Sequence, residues 1–148
     1  MSIEVQRCDG PDLRWIALRA RVWPHLSVEE HRDDLALLLA RDRRLVGFLA
    51  LEQGQPRGFA EASVRCDYVN GCDTLNVAFL EGVWVHADHR RRGIGRALIQ
   101  AAQDWAQSIG CTEFASDAPL ENSVSHIVHR ALGFEETERV VFFRKTLG

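Results

Sequence analysis

The sequence predicts a mixed α/β domain, and three observations carry the prediction. Helix-period segments alternate with short apolar strands in the C-terminal half, while the middle of the chain reads as consecutive strands joined by a tight turn. The third is length: 148 residues suffice for one well-cored domain and are too few for two, so residues 1–148 are taken as a single domain. No internal repeat, low-complexity tract or linker interrupts them.

Ile3 to Arg7 can form a first strand, and Asp9 to Asp12 read as a turn and helix start. Leu13, Ile16, Ala17 and Ala20 recur on one helical face until Pro24 ends the element. Ser27 with Glu30 three residues on is a capping box, opening a helix that carries Leu35, Leu38 and Leu39. Arg43 to Glu52 and Pro56 to Cys66 pair as a hairpin through Gln53 to Gln55. Asp67 to Asn76, with Asn70–Gly71 inside it, is an exposed polar loop. A strand over Val77 to Val85 runs into a helix after Gly95, followed by a short strand at Thr112 to Ser116 and a helix over Asn122 to Leu132, stopped by Gly133. Glu136 to Thr146 completes the series as strand material.

The 18 basic and 21 acidic side chains give a mildly acidic chain, which argues against nonspecific nucleic-acid binding. Cys8, Cys66, Cys72 and Cys111 form no C-x-x-C pair, no signal peptide precedes them, and no H-E-x-x-H or tight Cys/His cluster suggests a metal. The expectation is therefore reduced cytosolic thiols in a cytoplasmic protein without a metal. No apolar run approaches the roughly 20 residues needed to cross a bilayer.

The junction VWVHADHRRRGIGR, residues 83–96, carries the most chemistry. An apolar strand gives way to an arginine and glycine turn and then to a helix. There Gly93 and Gly95 let backbone amides close around an anion, and Arg90, Arg91, Arg92 and Arg96 add guanidinium charge. The lysine and hydroxyl of a P-loop are missing, and no G-x-G-x-x-G is present; this excludes the common nucleotide motifs. Upstream, Glu81 stands in an otherwise apolar stretch, where an unpaired buried carboxylate costs several kcal/mol. Glu61, Asp67, Asp73 and Glu81 stand against the single base Arg65, and Asp117 closes the next strand; this acidic set suits a polycationic ligand.

HRRRGIGRAL matches the R/Q-x-x-G-x-G/A acetyl-coenzyme A signature, and the chain resembles the GCN5-related N-acetyltransferases (GNAT) over nearly its whole length. DYVNGCD at 67–73, FLEGVWV at 79–85, ASDAPLENSVSH at 115–126 and ALGFEETERVVFFRK at 131–145 resemble one branch, the chromosomally encoded aminoglycoside 6'-N-acetyltransferases of bacteria. The resemblance implies a central, mostly antiparallel mixed sheet with a splayed parallel strand pair, flanked by helices. It implies that acetyl-coenzyme A pairs with the backbone of Val83 and Val85, rests its pyrophosphate on Arg90, Arg91, Arg92, Gly93, Ile94, Gly95 and Arg96, and passes Asn122 and His129. On the acceptor side it implies contacts from Trp23 and His25 in the segment Trp23-Pro24-His25, and from Tyr68, Glu81 and Asp117, with Glu81 as base and the Val83 N–H as oxyanion donor. Transfer would be direct within a ternary complex, in a homodimer without membrane or nucleic-acid partners. The tyrosine that many relatives place near the C-terminus is replaced by Phe142 and Phe143, so no general acid is assigned. Two other readings stay open here: an acetyltransferase for another amine, such as a polyamine or protein lysine, and a non-catalytic acetyl-coenzyme A-binding regulatory protein.

Overall fold

The computed structural model describes residues 2–8, 10–40 and 44–148. Its five-stranded sheet has the order β1 (Glu4–Cys8), β2 (Leu45–Glu52), β3 (Gln55–Arg65), β4 (Val77–Val85), β5 (Phe114–Ala115). Every neighbouring pair is antiparallel except β4 with β5. The expected mixed, mostly antiparallel sheet flanked by helices is therefore present. Asp9 and Arg43, expected at an element start, lie outside the described residues.

Local chemistry sets the boundaries. Asp12 caps α1 (Leu13–Val22) by accepting from the Arg14 N–H at 2.8 Å. The capping box opens α2 (Val28–Ala40) as the sequence predicts: Ser27 N–H donates to Glu30 at 3.1 Å, and Glu30 N–H donates to Ser27 Oγ at 3.1 Å. Gln53 and Gly54 take φ of 51° and 77°, the type I′ pattern that turns β2 into β3 with little splay.

The sheet separates two cores through the alternation of β3. Ala60, Ala62 and Val64 join Leu98, Ala102 and Trp105 of α3 (Ile94–Ser108) on one face. On the other, Phe59 packs with Trp15, Ile16 and Leu35 of α1 and α2. Glu61 and Ser63 also turn to that second face, where a polar site replaces the core. No helix among the described residues is long and apolar enough to cross a membrane.

One expected element does not form. Residues 135–148 pair as a strand with no described residue, and Phe142 and Phe143 are 89% and 92% exposed. The apolar pattern that predicts a strand is present, but β-structure requires an edge to pair with, and this segment pairs with none among the described residues. On α4 (Ser123–Ala131) Val124 and Ile127 are likewise exposed.

Candidate active site

A one-residue bulge organises the site. Glu61 pairs with Gly82 and Ala62 with Leu80, so Glu81 is the extra residue of β4. Its effect on backbone direction follows from two hydrogen bonds. Ala78 N–H donates to Glu113 O at 3.1 Å, toward β5, whereas His86 N–H donates to Arg57 O at 2.8 Å, on the β3 side. Residues an even number apart in a regular strand face the same edge; these two do not, because the bulge reverses the alternation between them. Val83 and Val85 consequently direct their backbone groups away from β3. There β4 has no strand neighbour among the described residues: its parallel pairing with β5 stops after Ala78–Phe114 and Phe79–Ala115. The parallel pair is splayed, and its opening exposes the backbone edge at Val83. Arg90 Nε already uses the Val85 carbonyl, at 3.0 Å.

Past this edge, a 3-10 turn (Ala87–His89) leads into the arginine and glycine segment. Arg91 and Gly93 adopt φ of 64° and 81°, and Gly93 is the N-cap of α3 with no side-chain cap. The first intrahelical bond runs from Ala97 N–H to Gly93 O at 3.0 Å, so the N–H groups of the preceding turn point out of the helix end. A Cβ at Gly93 would meet nothing within 4 Å. The glycine is therefore required by its left-handed backbone, and the space before it is open for a phosphate. These amides and the free β4 edge fit the pyrophosphate and the amide-bearing arm of coenzyme A. The four arginines differ in what they offer. Arg92 is bound to Glu52, whose carboxyl it holds below the ordinary range, and to His89. Its side chain braces the turn onto the end of β2. Arg91 and Arg96 carry no such described partner.

The acceptor side is a cavity of about 730 Å³ on the α1 and α2 face, the size of a small-molecule site. Glu81 lines it with Trp23, Tyr68, Glu61 and Arg65. The six-membered ring of Trp23 packs against Gly82, where a Cβ would come within 2.8 Å of it, and the Arg19 guanidinium lies over the Trp23 ring, 5.2 Å from its centroid. Tyr68 is 64% exposed at the rim. His25 is separated from this group, in a smaller hollow of about 220 Å³ beside Trp23 and His31. Asp117 is exposed beyond β5 and does not line the cavity, though it adds to the negative field at Arg65.

The charge balance is not the acidic one the sequence suggests. Glu61, Asp67 and Glu81 line the cavity together with Arg19, Arg44 and Arg65. Glu61 is buried, accepting from Trp15 Nε1 at 2.8 Å and from Arg19 Nη2 at 3.3 Å. Burial pushes its carboxyl above the ordinary range, against the pull of Arg19. Glu81 accepts a fork from Arg65 at 3.0 and 2.8 Å and a bond from Ser63 Oγ at 2.6 Å. Asp73 serves the loop instead, its N–H donating to Glu113.

Sequence reasoning missed Ser63, Arg19 and Glu113 as supports. Glu113 takes the Asp73 and Thr74 N–H groups and so holds the loop that carries Tyr68. Asn122 caps α4 by accepting from Ser125 N–H at 3.1 Å, and His129 ties that helix to the end of β5 through Ser116 Oγ at 2.9 Å. His129 is thereby fixed beside the end of β5, whereas the side-chain bond of Asn122 lies within its own helix. No cluster capable of holding a metal occurs among the described residues.

Known proteins resemble this chain over nearly its whole length. An aminoglycoside N(6')-acetyltransferase type 1 of Salmonella typhimurium (strain LT2) is 49% identical over 88% of this chain and 90% of its own length. One of the same name from Acinetobacter baumannii is 47% identical over 90% and 91%. A solved structure of AAC(6')-Iy in complex with the bisubstrate analog CoA-S-monomethyl-acetylneamine superposes with a TM-score of 0.91 at 44% identity, covering 99% of this chain and 100% of that one. The acetyltransferase (GNAT) family model matches residues 10–134, which include the uncapped start of α3 and the β4 edge: the chain belongs to the GNAT family of acetyltransferases.

Proposed function

We propose that the protein is an aminoglycoside 6'-N-acetyltransferase that moves the acetyl group of acetyl-coenzyme A directly onto the 6'-amine of the drug, and so confers resistance. The observation that carries the reading is the bulge: it sets the Glu81 carboxylate, inside an acceptor-sized cavity, two residues from the free backbone at Val83. Coenzyme A supplies the acetyl group as an activated thioester. Val83 and Val85 hold its arm as an added strand would be held, and the amides of residues 91–96 take the pyrophosphate. Arg90 braces the Val85 carbonyl and Arg92 the turn, while Arg91 and Arg96 add charge. Asn122 and His129 wall the far side.

Trp23 covers the acceptor rings and Tyr68 stands at the rim, while His25 in the neighbouring hollow and Asp117 beyond β5 meet only the outer parts of the drug. Glu81 receives the proton of the 6'-ammonium, directly or through water, so that a neutral amine attacks. The amide C–N bond forms as the C–S bond breaks, the Val83 N–H stabilising the oxyanion between. The thiolate leaves without a dedicated acid, since Phe142 and Phe143 stand where many relatives have a tyrosine. Chain and activity belong to one cytoplasmic N-acetyltransferase domain.

The protein acts as a homodimer. Val140 to Phe143 and, on α4, Val124, Ile127 and Val128 are exposed apolar side chains, and a second copy can cover them reciprocally. Phe142→Asp with Phe143→Asp should give a monomer in sedimentation equilibrium; an unchanged dimer refutes that assembly. The activity is tested by steady-state acetylation of kanamycin, tobramycin, amikacin, gentamicin C1, spermidine and a histone peptide. The first three should turn over and the 6'-N-methylated gentamicin C1 slowly. Turnover of spermidine or the peptide alone overturns the acceptor.

A further inference from the structure

Arg65 has no part in the chemistry above, yet it makes the best-formed contact in the acceptor cavity. Its Nε and Nη2 donate to the two oxygens of Glu81 at 3.0 and 2.8 Å, and its guanidinium lies 3.5 Å over the Phe79 ring. A planar cation forked onto a carboxylate and stacked on an aromatic face is held in one orientation. The side chain is nevertheless 41% exposed, on the side from which an acceptor enters.

This arrangement has a chemical cost for the acceptor reading. Glu81 already accepts three hydrogen bonds, two on Oε1 from Ser63 and Arg65 and one on Oε2 from Arg65, so a further donor finds a single open site, on Oε2 beside the guanidinium. An incoming ammonium and the guanidinium seek the same oxygens and repel each other. They compete for Glu81.

We infer that Arg65 is a built-in stand-in for the acceptor's ammonium, holding Glu81 aimed at the cavity in the free enzyme and giving way when the drug's cation arrives. The inference rests on the acceptor assignment above and deepens it: Arg65 is a positioning residue that selects for acceptors cationic enough to displace it. Ser63 stays on Glu81 throughout and keeps the carboxylate in place, while the Arg65 guanidinium leaves the carboxylate and turns outward, toward the solvent its side chain already meets and the field of Asp117. A neutral sugar, with no charge to exchange, leaves the pair closed.

The test compares Arg65→Ala, Arg65→Lys and Arg44→Ala with the unmodified enzyme, by steady-state acetylation of kanamycin and calorimetric titration with it. Removing a competitor lowers the acceptor KM and Kd, whereas damage to a supporting contact raises them. For a half-exposed pair worth about 1 kcal/mol the expected fall on Arg65→Ala is about fivefold, with the acetyl-coenzyme A KM unmoved. Arg65→Lys keeps the cation on Glu81 and should return most of the way to the unmodified KM. Arg44→Ala deletes a charge from the same cavity without touching Glu81, its guanidinium bonding Ile109 O instead. An acceptor KM that rises or stays constant in Arg65→Ala overturns the inference, as does equal tightening in Arg44→Ala. Failure of the unmodified enzyme to acetylate kanamycin counts against the acceptor assignment instead; the same variants are then titrated with spermidine, where the fivefold tightening is again required.

Discussion

Gly82→Ala probes the acceptor side without altering any charge. A Cβ there would sit 2.8 Å from Cη2 and 3.0 Å from Cζ2 of Trp23, against about 3.5–4.0 Å for relaxed carbon contacts. Gly82 has an ordinary negative φ, so the backbone accepts alanine, and the ring must yield by about 1 Å. The ring is half-buried and faces the cavity, which allows it to move there, so the stability loss should fall near the low end of overpacking, about 1 kcal/mol, or roughly 2–4 °C in Tm. A positioning error of about 1 Å costs up to 10²-fold in rate, and an expected tenfold rise in acceptor KM is the middle of that range. The assay is thiol release from acetyl-coenzyme A against kanamycin concentration, paired with a thermal melt. Trp23→Phe in the same background removes the clashing atoms and should recover part of the Gly82→Ala loss, a coupling that a double-mutant cycle reads directly. An acceptor KM unchanged in Gly82→Ala would refute the placement of Trp23 over the acceptor.

Glu81→Gln should lower kcat by about 10²- to 10⁴-fold while the fold is kept, as measured by single-turnover kinetics and circular dichroism. Gly93→Ala meets no steric obstacle but must adopt φ of 81°, so a stability loss of about 1–2 kcal/mol and a raised acetyl-coenzyme A KM are expected, without change in acceptor affinity by titration. Glu113 is held below its ordinary 4.5, first by the Thr74 hydroxyl and then by the Asp73 and Thr74 amides. Because the folded form releases its proton more readily than the unfolded chain, its contribution is present above pH 4.5 and fades as the pH falls through that value toward the folded pKa. Glu113→Gln should therefore flatten the acid limb of a Tm-against-pH curve.

What the sequence made legible was local chemistry. The capping box at Ser27 and Glu30, the turn at Gln53–Gly54 and the arginine and glycine junction each depend on residues within a few positions, and each formed where it was read. Charge was legible only as a count. That Glu61 and Glu81 each face an arginine across the sheet depends on pairing between strands and on a helix laid over them, which no local pattern encodes. Arg65 was in plain view as the single base among acids, and its role as the partner of Glu81 needed only the register that places Arg65 opposite Val77 with Glu81 further along. The segment 136–146 shows the reverse failure: strand propensity is written in Val140 to Phe143, but its partner is not in the chain's own sheet.

The bulge at Glu81 makes strand length, rather than side-chain identity, the least negotiable property of β4. Deleting Phe79 or Leu80 would restore regular alternation by moving Glu81 into the register opposite Ala62, on the α3 face of the sheet, and so carry its carboxylate out of the acceptor cavity. A deletion scan along the chain should thus find β4 intolerant at these two positions, even where substitutions are harmless. Drug range is then free to diversify only where chain length is forgiving, in the 67–76 loop and around Trp23.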